Sequence, residues 1–297
     1  MFRGALEKVA RFTFPVVISR RTVEGTCSAG IGTFTIINKD GWIVTAGHII
    51  GQWHKLSTAV AAVRETQAAR AAIENDDSLS RKDKAVKLNS LVVGKDDSDR
   101  CSAWWGADKT ALRDFSYVPI TVPDLGEAVD IGVGRLEPFD PSLYPISEYP
   151  VFKNPDKNFE PGVSLCKLGF PLNQVTPTWD EQADGFRLPP GTLPMPRFPI
   201  EGIFTRTAEI VIQGGPQLPY PIRYVETSTP GLRGQSGGPT FDIDGNIWAI
   251  QAKTIHRDLG FDIKGQKQYM NLGLGVHPKT IFGFLDQVGV KYEVTKD

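Results

Sequence analysis

The stretch Gly234-Gln235-Ser236-Gly237-Gly238-Pro239 limits what this chain can become more than any other. It lies between the run Tyr224-Val225-Glu226-Thr227-Ser228 and the apolar strand Ile247-Trp248-Ala249-Ile250, so it reads as a turn joining two extended segments. Glycines on both sides of a serine allow a backbone path that other residues avoid, and they leave the hydroxyl and the nearby N–H groups unobstructed. A nucleophile whose developing oxyanion must meet backbone donors needs that arrangement. A Gly-rich turn carrying a solvated serine has the same six residues, and the choice between the two rests on the remainder of the chain.

Two other stretches bear on it. In Gly32-Thr33-Phe34-Thr35-Ile36-Ile37-Asn38-Lys39-Asp40-Gly41-Trp42-Ile43-Val44-Thr45-Ala46-Gly47-His48, a strand, an Asp-Gly turn and a second strand end on a histidine. Ala128-Val129-Asp130-Ile131-Gly132-Val133-Gly134-Arg135-Leu136 is an apolar strand with one carboxylate at its start. By itself the first is a core histidine and the second a turn or cap. With the serine loop they supply an imidazole, an acid and an alcohol, in the chain order His, Asp, Ser.

Thr45-Ala46-Gly47-His48, Asp130-Ile131-Gly132 and Gly234-Gln235-Ser236-Gly237-Gly238-Pro239 resemble the three motifs of trypsin-like serine peptidases of the chymotrypsin fold, and the order of the three roles agrees. Asp124, Glu127, Asp108 and Asp114 rival Asp130 by position, but only Asp130 leads into the Ile-Gly-Val-Gly-Arg-Leu strand of that pattern. No segment ahead of the first strands is similar to the buried Ile/Val-Val-Gly-Gly terminus of secreted trypsins, and Gly169-Phe170-Pro171 after a strand resembles bacterial peptidases of the HtrA class. The resemblance runs over about residues 12–290. No PDZ-like segment follows, so trimerisation and peptide-triggered activation are not carried over.

The resemblance implies an all-β fold of two six-stranded antiparallel β-barrels with a helical insertion and a C-terminal helix. Residues 1–140 would form the barrel carrying His48 and Asp130, with the insertion at about 55–93, and residues 141–297 the barrel carrying Ser236. His48, Asp130 and Ser236 become a catalytic triad, and the backbone N–H groups of Gly234 and Ser236 the oxyanion hole. Thr229, Pro230 and Gly231 would form one wall of the pocket for the residue preceding the scissile bond, with Ala252, Lys253 and Thr254 opposite. Pro230 stands where trypsin itself has an acid, which argues against basic specificity and leaves a small-to-medium apolar side chain as the expectation.

Composition excludes other classes. With 33 Lys and Arg against 34 Asp and Glu, a net charge of −1 gives no pull towards nucleic acid or an anionic membrane. No apolar run approaches the roughly 18 residues a spanning helix needs. Glu7 and Lys8 interrupt the apolar positions near the N-terminus, so no signal peptide is expected. Cys27, Cys101 and Cys166 are odd in number and widely spaced, which predicts reduced thiols in the cytoplasm. No cluster has metal-ligand spacing, and neither metal nor organic cofactor is expected.

Asp130 follows His48 by 82 positions, more than the compact bacterial peptidases that the chain resembles would need. Lys55 to Glu74 is rich in Ala, Glu, Gln and Arg, Asn75-Asp76-Asp77-Ser78 would stop a helix, and Arg81 to Leu91 offers a second. The expected αα-hairpin has three readings: a docking surface for a regulatory protein, a gate over the cleft, or a solvated ornament. His54 is placed on a surface turn before it, and His256 and His277 lack catalytic context. Glu137 to Asn158 is a Pro-rich connection, and residues 172–200 form a long irregular loop near the cleft. Taken with these features, the resemblance implies a regulated intracellular serine endopeptidase acting on proteins or peptides. A catalytically silent trypsin-like module that binds peptides and an ester hydrolase are the other two readings.

Overall fold

The computed structural model describes residues 1–108, 110–118, 121–122, 126–127, 129–171, 173–210, 218–261 and 265–296. The expected strand ends at 119–120 and 211–212, the turn at 214–216 and Leu172 lie outside them. The chain is all-β in architecture, as expected: two mainly antiparallel strand systems, one following the other along the chain, with helices at their margins.

The first system contains β1 (Thr13–Thr22), β2 (Cys27–Ile36), β3 (Trp42–Thr45), β4 (Ser98–Trp105), β5 (Ala111–Tyr117) and β6 (Gly132–Glu137), in the spatial order β4-β1-β2-β3-β6-β5. It curls as a half-barrel around Phe34, Ile36, Ile43, Trp105 and Leu136. Pro15 is tolerated inside β1 because it pairs only with Thr33. The second neighbour, β4, joins one residue later, where Val16 meets Trp105.

The second system contains β7 (Ser164–Gly169), β8 (Phe198–Glu209), β9 (Arg223–Thr227), β10 (Pro239–Phe241), β11 (Ile247–Phe261) and β12 (Lys267–Val276). Its order is β10-β7-β8-β9-β12-β11, and β10 also pairs with β11, which closes the ring; the two-residue strands Val151–Phe152 and Glu293–Val294 continue the sheet in parallel beyond β11, giving eight strands where six were expected. Leu165, Phe204, Val225, Trp248 and Ala249 fill the interior. Val44, Ile131 and Val133 of the first half share one buried cluster with Leu168, Tyr224 and Ile250 of the second. The two halves are thus packed face to face, and burial of this shared face, at about 25 cal/mol per Å² of apolar area, holds them in register.

Helix α1 (Arg3–Val9) precedes the strands, and the insertion contains α2 (Gly47–Glu74) and α3 (Arg81–Asn89). The hairpin is present but begins earlier than its composition predicts. Ile49, Ile50 and Gly51 already bury a face directly after β3, so one helix runs from the end of β3 into the insertion. His54 is therefore on α2 and not on a turn; its ring meets Phe115 at 5.7 Å. Burial along α2 ends at Val60, and the outer part is tied to α3 and the residues after it by polar contacts, Arg70 Nη1 donating to Leu88 O at 3.3 Å and Leu91 O at 2.6 Å, and Lys84 Nζ to Glu74 O at 2.8 Å.

The 172–200 segment is more ordered than its proline content predicts. Thr178–Asp180 and Gly185–Arg187 form a small hairpin, because Trp179 and Phe186 face each other across it with their rings 4.9 Å apart. The hairpin reaches the first half: Trp179 lies beneath the guanidinium groups of Arg21 and Arg100, and Glu181 pairs with Arg21 at 3.1 Å.

The C-terminal helix α4 (Pro278–Gln287) packs under the closed ring through Ile281, Phe284 and Leu285. Its N-cap is His277, whose Nδ1 accepts from the Lys279 N–H at 3.1 Å. The imidazole is 2% exposed, and burial drives its pKa from 6.5 to about 3, with Arg223 and Lys279 adding to the shift. The unfolded chain takes up this proton near pH 6.5 and the folded chain not until about pH 3, so this contribution to stability is complete above 6.5 and is lost as pH falls towards 3. Urea unfolding midpoints of the wild type should therefore drop more steeply from pH 7 to pH 4 than those of His277→Asn, which keeps a capping acceptor. Parallel profiles would contradict this assignment.

Candidate active site

The site forms where the N-terminal end of α2, the start of β6 and the β9–β10 connection meet. Ala46, the N-cap of α2, offers no side-chain acceptor, so the first N–H groups of the helix need one from elsewhere. Asp130 supplies it: Oδ1 accepts the His48 N–H at 2.8 Å. The same carboxylate meets the ring, with Nδ1 at 2.8 Å from Oδ2 and 3.0 Å from Oδ1. Asp130 is 3% exposed and lies at the N-terminal end of α2. With its carboxylate facing Nδ1 at hydrogen-bond distance, Nδ1 is assigned the proton and Nε2 the lone pair.

The Ser236 loop is fixed to β2 and β3. The Thr33 N–H donates to Ser236 O at 2.9 Å, Thr33 Oγ1 to Gly234 O at 2.7 Å, and Thr45 Oγ1 to Thr33 O at 2.6 Å. Within the loop the Leu232 N–H donates to Gln235 Oε1 at 2.9 Å, and the buried Gln235 reaches back to Phe198 O. Gly234 and Gly237 take left-handed backbone, with φ of 96° and 83°. Among the described residues, neither the Gly234 N–H nor the Ser236 N–H has an intramolecular acceptor.

His48, Gly234 and Ser236 wall one cavity of about 610 Å³, together with Arg20, Arg233 and the Ser28–Gly32 edge of β2. A second cavity of similar volume continues on the far side of that edge, walled by Cys27, Val175, Thr176 and Arg233, so the start of the 172–200 segment does flank the cleft. The Ser236 hydroxyl donates to Ala252 O at 3.4 Å, which places Oγ at the head of β11's inner wall. The two expected pocket walls are in contact: Thr254 Oγ1 donates to Gly231 O at 2.8 Å, and the Gln251 amide, donating to Lys253 O at 3.1 Å, lies against Gly231. Thr229 and Pro230 offer their carbonyls to the Lys167 ammonium, and the Lys253 ammonium lies over the Tyr224 ring at 5.1 Å.

The rival carboxylates have other partners. Asp114 pairs with Arg135 at 2.7 Å and Asp108 accepts from the Trp104 indole at 3.1 Å, whereas Asp124 and the Glu127 side chain lie outside the described residues. Among the described residues no group of three His, Cys, Asp or Glu is placed to hold a metal ion, and no helix is long and apolar enough to cross a membrane. Two contributors were missed by the sequence reading. Thr33 sits inside an ordinary strand pattern, and its clamp on the serine loop has no local signature. Lys167 does have one, a charge at an inward-facing strand position.

No protein-family model and no curated protein sequence matches the chain. Solved structures similar to it include the Rv3671c protease of M. tuberculosis H37Rv in an inactive form, with 14% identity over 96% of this chain and 90% of that one and a TM-score of 0.45. The same protease in its active form matches with 13% identity over 98% and 86% and a TM-score of 0.45. The HtrA-type protease AlgW, with a tripeptide, matches with 13% identity over 97% and 63% and a TM-score of 0.45.

Gly237 tests the clamp. A Cβ there would lie 2.0 Å from Thr33 O and 2.1 Å from Thr45 Oγ1, both held in place by the hydrogen bonds above. Gly237→Ala should cost about 3 kcal/mol or more in urea unfolding, from overpacking and left-handed strain together. A loss below about 1 kcal/mol would show that the serine loop is not seated on β2.

Proposed function

We propose that the protein is a serine endopeptidase of the trypsin-like type that cleaves peptide bonds through an acyl-enzyme. The observation that carries the reading is the double engagement of Asp130, which holds both the backbone and the ring of His48 on the wall of the cavity that contains Ser236. In this mechanism the Ser236 hydroxyl leaves Ala252 O for His48 Nε2 and attacks the substrate carbonyl as its proton passes to the imidazole. Asp130 orients His48 and stabilises the imidazolium. The N–H groups of Gly234 and Ser236 receive the oxyanion, each worth roughly 3 kcal/mol in the transition state. His48 then gives its proton to the leaving amine, and water repeats the sequence on the acyl-enzyme. The chemistry requires no metal or cofactor.

The residues 229–231 and 252–254 serve as pocket walls, held closed in the resting protein by the Thr254 to Gly231 bond. An intracellular peptidase must be restrained. This closure, the 172–200 segment beside the cleft and the α2–α3 hairpin as a docking site for a regulatory protein are our candidates for the restraint. The free state of Cys27, Cys101 and Cys166 supports a reducing, cytoplasmic setting.

A fluorophosphonate probe should label the wild type covalently, fail to label Ser236→Ala, and label His48→Ala more slowly by about a hundredfold or more. Labelling retained in Ser236→Ala would refute the assignment. A folded wild type that binds peptides but resists the probe would instead be a silent peptide-binding module. Faster turnover of esters, with peptides left intact, would point to an esterase.

A further inference from the structure

Lys167 breaks the pattern of its strand. β7 reads Ser164-Leu165-Cys166-Lys167-Leu168-Gly169, and with side chains alternating between faces, Lys167 shares a face with Leu165, which lies inside the closed ring with Phe204 and Trp248. The lysine is 0% exposed. Its ammonium donates to Thr229 O, to Thr229 Oγ1 at 3.0 Å and to Pro230 O at 3.3 Å. Three neutral acceptors satisfy its three donors but leave the charge without a counter-ion. Among the described residues no carboxylate lies within 4.0 Å. Burial lowers its pKa from 10.5 to about 8.

The position of the ammonium matters more than its cost. A Cβ on Gly273 would lie 2.7 Å from Lys167 Nζ, and Gly273 is the cross-strand partner of Thr254. Nζ is therefore at the floor between the 229–231 wall and the 252–254 wall. Ser236 Oγ, bonded to Ala252 O, is at the head of the same two walls. In the peptidase reading, a side chain on the carbon next to the attacked carbonyl would enter between these walls towards the ammonium once they part. The cleft outside carries the same sign: Arg20 and Arg233 line the cavity shared by His48 and Ser236, and no carboxylate does.

We propose that Lys167 determines specificity by selecting a glutamate or aspartate side chain immediately before the scissile bond. This rests on the peptidase reading above and names its substrate class. The acid displaces the Thr254 hydroxyl from between the walls, and its carboxylate takes the place of the Thr229 and Pro230 acceptors on the ammonium. Pro230 fits this assignment, since the acid that would attract a basic side chain is absent from the wall and a cation lies behind it. This differs from the small-to-medium apolar residue expected from the wall sequence alone.

The test uses the full chain and fluorogenic peptides identical except for Glu, Gln, Ala or Arg before the cleaved bond, with fluorophosphonate labelling as an independent count of competent active sites. Wild-type kcat/KM should favour Glu over Gln by about tenfold or more, as a charge-assisted contact requires. Lys167→Met should reduce that ratio to about threefold or less in the fraction of the enzyme that the probe labels. Labelled wild type that cleaves Gln or Ala peptides as fast as Glu overturns the inference alone, and so does a labelled Lys167→Met that keeps the Glu preference. If Lys167→Met fails to fold and is not labelled, the wild-type Glu to Gln ratio decides by itself. Wild type that is not labelled at all overturns the peptidase reading and this inference with it.

Discussion

The Thr33 clamp is the constraint on which the rest depends. Ser236 belongs to a connection of the second strand system, whereas His48 and Asp130 belong to the first, and nothing in either half alone sets the distance between them. Thr33 bonds to the loop on both sides of Gln235, and Thr45, the last residue before the turn into α2, fixes Thr33 in turn. The serine loop and the start of the histidine helix are thereby referred to one pair of adjacent strands. Gly237 allows the approach, and the shared apolar cluster behind it supplies the larger, non-directional force that keeps the two halves together.

The same economy appears at Asp130. One buried carboxylate caps a helix that has no cap of its own and orients the ring that the helix presents, with the His48 N–H and Nδ1 as its two donors. Lys167 is the contrasting case. Its donors are satisfied by Thr229 and Pro230, yet its charge has no carboxylate partner among the described residues.

Much of this was legible in the primary structure. The serine loop, the histidine after β3 and the acid before β6 are each specified by a few consecutive residues, and the strands carrying them have plain apolar patterns. What escaped reading depends on contacts between distant segments. The early start of α2 follows from the face that Ile49 and Ile50 bury against the first strand system, the order in the 172–200 segment from the Trp179–Phe186 pair and the arginines above it, and the role of His277 from its place at a helix start. Lys167 was visible as an anomaly in β7, but its meaning required knowing that Thr229, Pro230 and Gly273 surround its tip. The wall sequence alone pointed to an apolar preference.

The central claim is that Ser236, His48 and Asp130 work as one unit beside the N–H groups of Gly234 and Ser236. The most direct measurement is a crystal structure of the protein after reaction with an organophosphonate. The account predicts phosphorus bonded to Ser236 Oγ, a phosphoryl oxygen about 3 Å from both N–H groups, and His48 still held by Asp130. Phosphorus on another residue, or an adduct on Ser236 whose oxygen faces away from those donors while the imidazole has left Asp130, would contradict it.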